Sequence, residues 1–596
     1  FKGSDHLLDL PVDYPRPAHR TYKSHREDYV LNGALTTEIK KLGKSTGSSF
    51  VTTLLAAFEV FLHQLTGQDE IIVGLPAAGQ PATDNFRLVG HCVNLLALRS
   101  FPKGDMSFKD YLKKRRSDIL DAYDHQLYTF GSLLKKLNIA RDPSRVPLVP
   151  VMFNIDMGLD DDVEFYGLQH KLISNPREYE NFEIFLNIAG QNEAPTLEWS
   201  YNTALFKPAT IKRMMDGFEF LLRQLVNKPE ILIKNIPLLN AEELTLQLNA
   251  WNNTKYPYPM HSPLHKLIAG RAKEIPGKTA ITFDGQKTTY KQLNDQANQL
   301  AALLIANGVQ KGDKVAFALD RCSEMVISIF AIMKTGAVYI PLDPQFPLNR
   351  INYMLEDSQA VVLLTSEKYK GLYQSGAKEL LIEEEWEKLK NFEPIEPAID
   401  VTGDDLVYIL YTSGSTGNPK GVQIAHHNLV NFLYSMQNAP GITAADKLLA
   451  VTTISFDIAG LELFLPLLTG AEIVLVNTSD AKDGRALLEI IESEHITMMQ
   501  ATPYTWRILL EAGWDESAPI KVICGGEALP LELAQRLLSR ASSLWNVYGP
   551  TETTVWSTVK KLTMDDKVIS IGRPINNTSI YILDRFLNPL APGVAG

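Results

Sequence analysis

Between Tyr411 and Gly421 the chain reads Tyr-Thr-Ser-Gly-Ser-Thr-Gly-Asn-Pro-Lys-Gly, a run with three glycines, four aliphatic hydroxyls and one lysine. Glycine lets a backbone approach closely, N–H and O–H groups can point at oxygens, and lysine adds a point charge, so such a loop can wrap a polyphosphate. The residues on its C-terminal side constrain the fold. Lys420 is succeeded by Gly421 rather than by Ser or Thr, and Val422-Gln423-Ile424-Ala425 has the composition of a strand, not of the helix that a Walker loop feeds. The expected local unit is strand, phosphate loop, strand. The plain alternative is a flexible surface loop.

Upstream of the loop, strands and helices alternate. Thr279–Phe283, Val315–Leu319 and Val338–Pro341 read as strands, and Glu324–Met333 as a helix. Thr289-Tyr290-Lys291-Gln292 has the spacing of a capping box that opens a helix through Leu293, Leu300 and Leu304. Such alternation predicts parallel sheets covered by helices. The first half is a mixture, α/β or α+β. A helix is expected from Ser45 through Phe50, Leu54, Phe58, Phe61 and Leu62, then a buried strand at Glu70–Gly74. Further helices are expected over Phe108–Tyr123 and Ala209–Val226, with strands at Val151–Ile155, Phe182–Ile188 and Leu197–Tyr201. Between Ile236 and His265 the pattern becomes irregular and proline-studded, which marks a boundary. The expected domains are 1–235, a linker over 236–264, and 265–596.

Several function classes are disfavoured. With 58 basic against 69 acidic residues and a net charge of −11, the chain has no basic stretch able to track a phosphate backbone, so no nucleic-acid partner is expected. The most apolar stretch, Met325–Leu342, is broken by Lys334 and Gly336, so no membrane partner is expected either. Cys92, Cys322 and Cys524 form no CxxC pair, which fits a reducing cytoplasm. The adjacent His426 and His427 cannot share one helix face and are read as structural. His91 is read as a packing or tunnel residue.

The phosphate loop resembles the signature of the adenylate-forming superfamily. Thr289–Asn294, Met333–Asp343, Phe456-Asp457 and Asn546–Glu552 are similar to the nonribosomal peptide synthetase versions of its other motifs, in the same order. The resemblance implies an α/β large subdomain of an amino-acid adenylation domain. It also implies ATP and Mg as cofactors, with the activated acyl group passed to phosphopantetheine on a carrier protein. Carried over residue by residue, Thr412, Ser413, Gly414, Ser415, Thr416, Gly417 and Lys420 surround the phosphates, while Gly526, Glu527 and Ala528 run beside adenine. Tyr548 offers adenine a ring face and Asn546 its amide groups, Gly549 and Thr551 complete the nucleotide site, and Glu552 is the magnesium ligand. Lys420, Thr551 and Glu552 are the implied catalytic set.

Upstream, Val89–Leu95, Asp142–Leu148, Val151–Asn154 and Tyr201–Phe206 resemble the C-terminal half of a condensation domain, a chloramphenicol-acetyltransferase-like lobe. The His-His-x-x-x-Asp-Gly signature of that family is absent, since the His-His pair lies at His426-His427 without an Asp-Gly. The adenylation lysine of the closing subdomain and a carrier serine are absent too. The expectation is therefore a module fragment, flanked by carrier domains in the longer protein and impaired as it stands. A stand-alone acyl-CoA or aryl-CoA ligase and a non-catalytic docking scaffold remain alternatives.

The resemblance also implies a side-chain pocket lined by Asp457, Ile458, Leu461, Gln500, Ile523, Gly525, Val547, Val555 and Trp556. The set resembles the family's glycine-type pocket. Asp457 can pair with an ammonium group, while Trp556, Leu461 and Gln500 are bulky enough to fill the space a substrate side chain would need.

Overall fold

A computed structural model describes residues 1, 7–82, 90, 92–137, 139, 142–157, 166–168, 174–190, 193–413, 417–515 and 518–596. The chain divides into two units, Phe1–Trp251 with Tyr581–Gly596, and Asn252–Ile580.

The first unit is built on one six-stranded sheet: β1 (Ser24–Val30), β2 (Ile71–Ala78), β3 (Val93–Ser100), β4 (Val151–Met157), β5 (Ile184–Gly190) and β6 (Thr196–Asn202). Its order is β1-β6-β5-β4-β2-β3, with β4 parallel to both β2 and β5 and the remaining pairs antiparallel. Helices Phe50–Thr66 and Pro208–Asn227 cover it, and Phe58, Phe61, Trp199 and Phe218 interlock at centroid distances of 5.5–6.3 Å. Leu590 and Val594 belong to this same core, which is why Tyr581–Gly596 groups with the first unit. Deep in the core, Arg115 donates to Glu59 from Nε (2.8 Å) and Nη2 (2.7 Å), and the Tyr111 hydroxyl donates to the same carboxylate at 2.7 Å.

Two expectations for this half change. The helix read from Ser45 begins at Phe50, because Ser49 caps it by accepting from the Thr52 N–H, and Ser45 closes a separate helix, Gly33–Ser45. The region read as irregular after Ile236 contains a helical turn, Ala241–Thr245, opened by an Asn240/Glu243 capping box.

In the second unit, strands come in chain order as β7 (Thr279–Phe283), β8 (Gln286–Thr289), β9 (Lys314–Ala318), β10 (Val338–Pro341), β11 (Val362–Thr365), β12 (Lys378–Leu381), β13 (Leu406–Thr412) and β14 (Lys420–Ala425). They continue with β15 (Lys447–Ala450), β16 (Glu472–Leu475), β17 (Met498–Ala501), β18 (Lys521–Cys524), β19 (Ser543–Tyr548), β20 (Thr558–Leu562) and β21 (Arg573–Pro574). Two sheets result, β12-β11-β9-β10-β13-β14 and β21-β20-β19-β18-β17-β15-β16-β7-β8. Their centres are parallel, as the alternation predicts, and buried on both faces. At the β14 edge of one sheet and at both ends of the other the pairing is antiparallel, since β14, β8, β20 and β21 each pair with the strand that precedes them in the chain, whereas the β12 edge stays parallel to β11. Thr289 caps helix Tyr290–Ala306 with the predicted box. Among the described residues no single helix is long and apolar enough to cross a membrane.

Candidate active site

Parallel strands place their carboxyl ends on one edge of a sheet, and the loops leaving those ends form the site. Strand β18 runs beside β19 with Cys524 opposite Asn546, so Gly525–Ala528 and Tyr548–Glu552 emerge side by side. Strand β17 lies on the other side of β18, with Gln500 opposite Ile523. In the other sheet β13 and β14 make an antiparallel hairpin in which Thr412 faces Lys420, so the lysine stands at the mouth of the loop. Ser413 and Gly417 flank that loop, whereas Gly414, Ser415 and Thr416 lie outside the described residues, as does His91. The Tyr411 hydroxyl donates to Asp357 at 2.6 Å, anchoring the hairpin where the loop begins.

Of the nucleotide residues, Tyr548 is half exposed, with a ring face available, and Gly526, Glu527 and Ala528 are exposed. Asn546 differs from expectation. It is buried, and its Nδ2 donates to the Ser570 carbonyl at 2.9 Å, so this amide donor is engaged with backbone rather than held out for a base edge. A Cβ on Gly549 would lie 2.4 Å from the Val555 carbonyl oxygen and 2.6 Å from the Ser557 nitrogen, so only glycine permits this turn. Thr554 (φ 68°) and the β-branched Val555 (φ 66°) adopt left-handed backbone, a conformation that side chains disfavour and that active sites often retain.

The pocket residues assemble from four elements. Ile458 and Leu461 come from the start of helix Ala459–Thr469, Gln500 from β17, Ile523 from β18, and Val547 from β19, with Val555 and Trp556 just beyond it. Ile458, Leu461, Gln500, Ile523, Val547, Val555 and Trp556 are all buried. A Cβ on Gly525 would meet Trp556 Cη2 at 2.7 Å and Val547 Cγ2 at 2.6 Å, so the indole lies flush against the backbone there. The indole Nε1–H donates to Gln500 Oε1 at 2.8 Å.

Asp457 immediately precedes Ile458 at the start of the same helix; it is 9% exposed, and its Oδ2 has no hydrogen-bond partner. Burial pushes its carboxyl up to about 6 against the lowering pull of the Thr551 hydroxyl and the Ile458 N–H, and the Glu552 charge adds to the rise. That places Asp457, Thr551 and Glu552 in one neighbourhood. No cluster of three or more metal-binding side chains occurs among the described residues, so the exposed Glu552 stands as a single candidate ligand. A further cavity of about 470 Å³ opens at the carboxyl ends of β9, β10 and β15–β17, lined by Arg321, Asp343, Thr453 and Tyr504 among others.

The histidine pair lies apart from these residues. His426 is buried, accepts from the Leu264 N–H at 3.3 Å and is driven down to about 4 by burial, while His427 donates to the Gly403 carbonyl at 3.0 Å.

A glycine-and-hydroxyl hairpin loop, paired parallel-centred sheets and a strand-end pocket define an α/β adenylate-forming enzyme. The AMP-binding enzyme family matches residues 268–596, and the condensation domain family matches residues 1–247. The chain belongs to the AMP-binding enzyme family, in the nonribosomal peptide synthetase form that joins a condensation domain to it. It is 35% identical to tyrocidine synthase 3 of Brevibacillus parabrevis over 99% of this chain and 9% of that protein. It is 32% identical to bacitracin synthase 2 of Bacillus licheniformis over 100% of this chain and 23% of that one. The chain thus spans under a quarter of these relatives. Among solved structures, holo-AB3403, a four-domain nonribosomal peptide synthetase bound to AMP and glycine, superposes with a TM-score of 0.87 at 29% identity, over 99% of this chain and 45% of that one. The N-terminal subdomain of Klebsiella oxytoca NpsA in complex with 3-hydroxybenzoyl-AMSN gives 0.51 at 27% identity, over 56% of this chain and 83% of that one.

The reading from sequence overlooked Asp357, the left-handed Thr554-Val555 pair and a buried acid, Glu462. Only the last left a signal, a lone charge inside the apolar run Leu461-Glu462-Leu463-Phe464.

Proposed function

We propose that the second unit activates glycine as its adenylate, using ATP, for loading onto the phosphopantetheine thiol of a carrier protein, and that the condensation domain joins carrier-held groups. One observation carries the substrate: Asp457, a buried carboxylate with an unpartnered oxygen, immediately precedes Ile458, whose carbonyl holds the Gln500 amide that in turn holds the Trp556 indole flush against Gly525. An unpaired buried carboxylate is costly, and an α-ammonium group would relieve it. The packed space beyond admits hydrogen and resists a methyl group, since overpacking costs about 1–3 kcal/mol. The glycine and AMP bound by AB3403 support the same reading.

In this scheme the amino-acid carboxylate oxygen attacks the α-phosphorus of ATP, the bond from that phosphorus to the bridging oxygen breaks, and pyrophosphate leaves with the electron pair. Lys420 and the Thr412–Gly417 loop sit at the pyrophosphate end, where fixed donors stabilise developing charge. Tyr548 and the Gly526–Ala528 backbone take the adenine, and Thr551 steadies Asp457. Magnesium, when bound, would neutralise phosphate charge, and Glu552 fits it as the one protein ligand of an ion otherwise held by phosphate oxygens and water. The three free cysteines support a reducing, cytoplasmic setting.

Calorimetric titration of the chain with glycyl-, alanyl- and phenylalanyl-sulfamoyladenosine, unreactive mimics of the aminoacyl adenylate, tests this reading. The glycyl compound should bind most tightly. Tighter binding of the phenylalanyl compound would overturn the pocket assignment, and no binding of ATP or of any mimic would favour a docking scaffold.

A further inference from the structure

Glu462 lies in helix Ala459–Thr469 with no exposed surface, and its carboxylate is filled by four donors. Oε2 accepts from the backbone N–H groups of Val451 (2.8 Å) and Thr452 (2.9 Å), and Oε1 accepts from the Thr452 hydroxyl (2.5 Å) and from Gln500 Nε2 (3.0 Å). Arg321, whose guanidinium donates to the carbonyls of Ala450, Thr452 and Val476, supplies balancing positive charge close by.

A glutamine amide can ordinarily sit either way round, and its neighbours decide which. Here the choice is forced. An ionised carboxylate accepts only, and so does the Ile458 carbonyl, which takes Gln500 Nε2 at 2.8 Å. Both acceptors fix Nε2 towards Glu462 and Ile458, which leaves Oε1 facing outward to receive the Trp556 indole N–H. The indole held in this way is the group that abuts Gly525. We infer that Glu462, which does not line the pocket, is a positioning residue for substrate selection: through the amide of Gln500 it holds the Trp556 ring where it excludes a substrate side chain.

The inference deepens the proposed glycine pocket and rests on it. It makes an asymmetric forecast for Glu462→Gln, which changes no volume. The amide oxygen of the new side chain must stay with the Val451 and Thr452 N–H groups, because those donors cannot reverse. Its NH₂ then faces Gln500 Nε2; the Ile458 carbonyl and the Trp556 N–H keep the Gln500 amide from turning over, so a donor facing a donor pushes the amide away and carries with it the Oε1 that receives the indole. The acceptor of the indole is displaced, and the ring loses its fixed position.

The experiment is a double-substitution cycle on the whole chain with Glu462→Gln, Trp556→Phe and both together. It reads the ratio of Kd for alanyl- over glycyl-sulfamoyladenosine. Glu462→Gln should lower this ratio about tenfold, the scale on which one methylene is discriminated. Trp556→Phe should lower it as well, and the double variant should match Trp556→Phe alone, since the relay ends at the indole N–H. An unchanged ratio in Glu462→Gln, or a full additional drop in the Trp556→Phe background, overturns the inference. If Glu462→Gln does not fold, Gln500→Met removes the same link at similar length; its ratio should fall to the same degree, and an unchanged ratio overturns the inference equally. A wild-type chain that does not prefer the glycyl compound fails the glycine reading itself, whereas a wild-type preference that survives the substitutions fails only the relay.

Discussion

Glu59 in the first unit and Asp457 in the second are both buried carboxylates, and they differ in how their oxygens are occupied. Glu59 is closed on itself by Arg115 and Tyr111, with every contact supplied by the same core. Asp457 keeps one oxygen free and is pushed up to about 6. A satisfied buried charge fixes an arrangement of helices; an unsatisfied one is an energetic deficit that a ligand can remove. Reading the two together separates a structural charge from a binding one without reference to position in the chain.

The contrast between the two carboxylates is tested most strongly at Arg115. Arg115→Met leaves Glu59 buried without its ion partner and should destabilise the first unit by about 3–5 kcal/mol, read by urea unfolding, while the affinity for glycyl-sulfamoyladenosine stays unchanged. Asp457→Ala should do the reverse. It should weaken the glycyl compound by about 10²-fold or more while sparing its acetyl analogue, which lacks the ammonium group, and leave unfolding nearly untouched. Equal losses for both compounds would make Asp457 structural, like Glu59. Next in size, Lys420→Ala should weaken ATP by about 10–100-fold, the worth of one charge-assisted hydrogen bond, without altering the glycine-over-alanine ranking; a changed ranking would refute the separation of loop from pocket. Trp556→Ala should reduce alanine exclusion by about tenfold, checked by the alanyl-to-glycyl Kd ratio.

A smaller effect separates the two carboxylates through pH. Asp457 holds the ammonium group only as a carboxylate. With its pKa raised to about 6, glycyl affinity should be full above that value and fall as pH drops through it, by about tenfold from pH 7 to pH 5, while the acetyl analogue stays flat. A glycyl profile that stays flat to pH 4 would place the recognition elsewhere.

The sequence was most legible where strands are buried on both faces and bounded by turn residues. Thr279–Phe283 and Val338–Pro341 coincide with the observed strands residue for residue. Helix Gly33–Ser45 escaped notice because lysines, threonines and glycines dilute its apolar stripe. The antiparallel edges were illegible because strand order depends on contacts far apart in sequence, which local periodicity does not encode. At the site, the motif spacing indicated which residues gather, but not how their polar atoms pair. Whether Asn546 turns its amide to a base or to Ser570, and whether Gln500 is free or held by Glu462, depends on neighbours from distant segments of the chain.

The return of Tyr581–Gly596 to the first unit has a consequence in time. Leu590 and Val594 complete a core whose other buried members all precede Trp251, and the whole of Asn252–Ile580 is translated in between. At about 5–20 residues per second that interval is on the order of 15–60 s, during which the nascent first unit waits with part of its apolar surface uncovered. A chaperone or an early folding intermediate would meet this protein there, at the gap that Leu590 and Val594 have yet to fill.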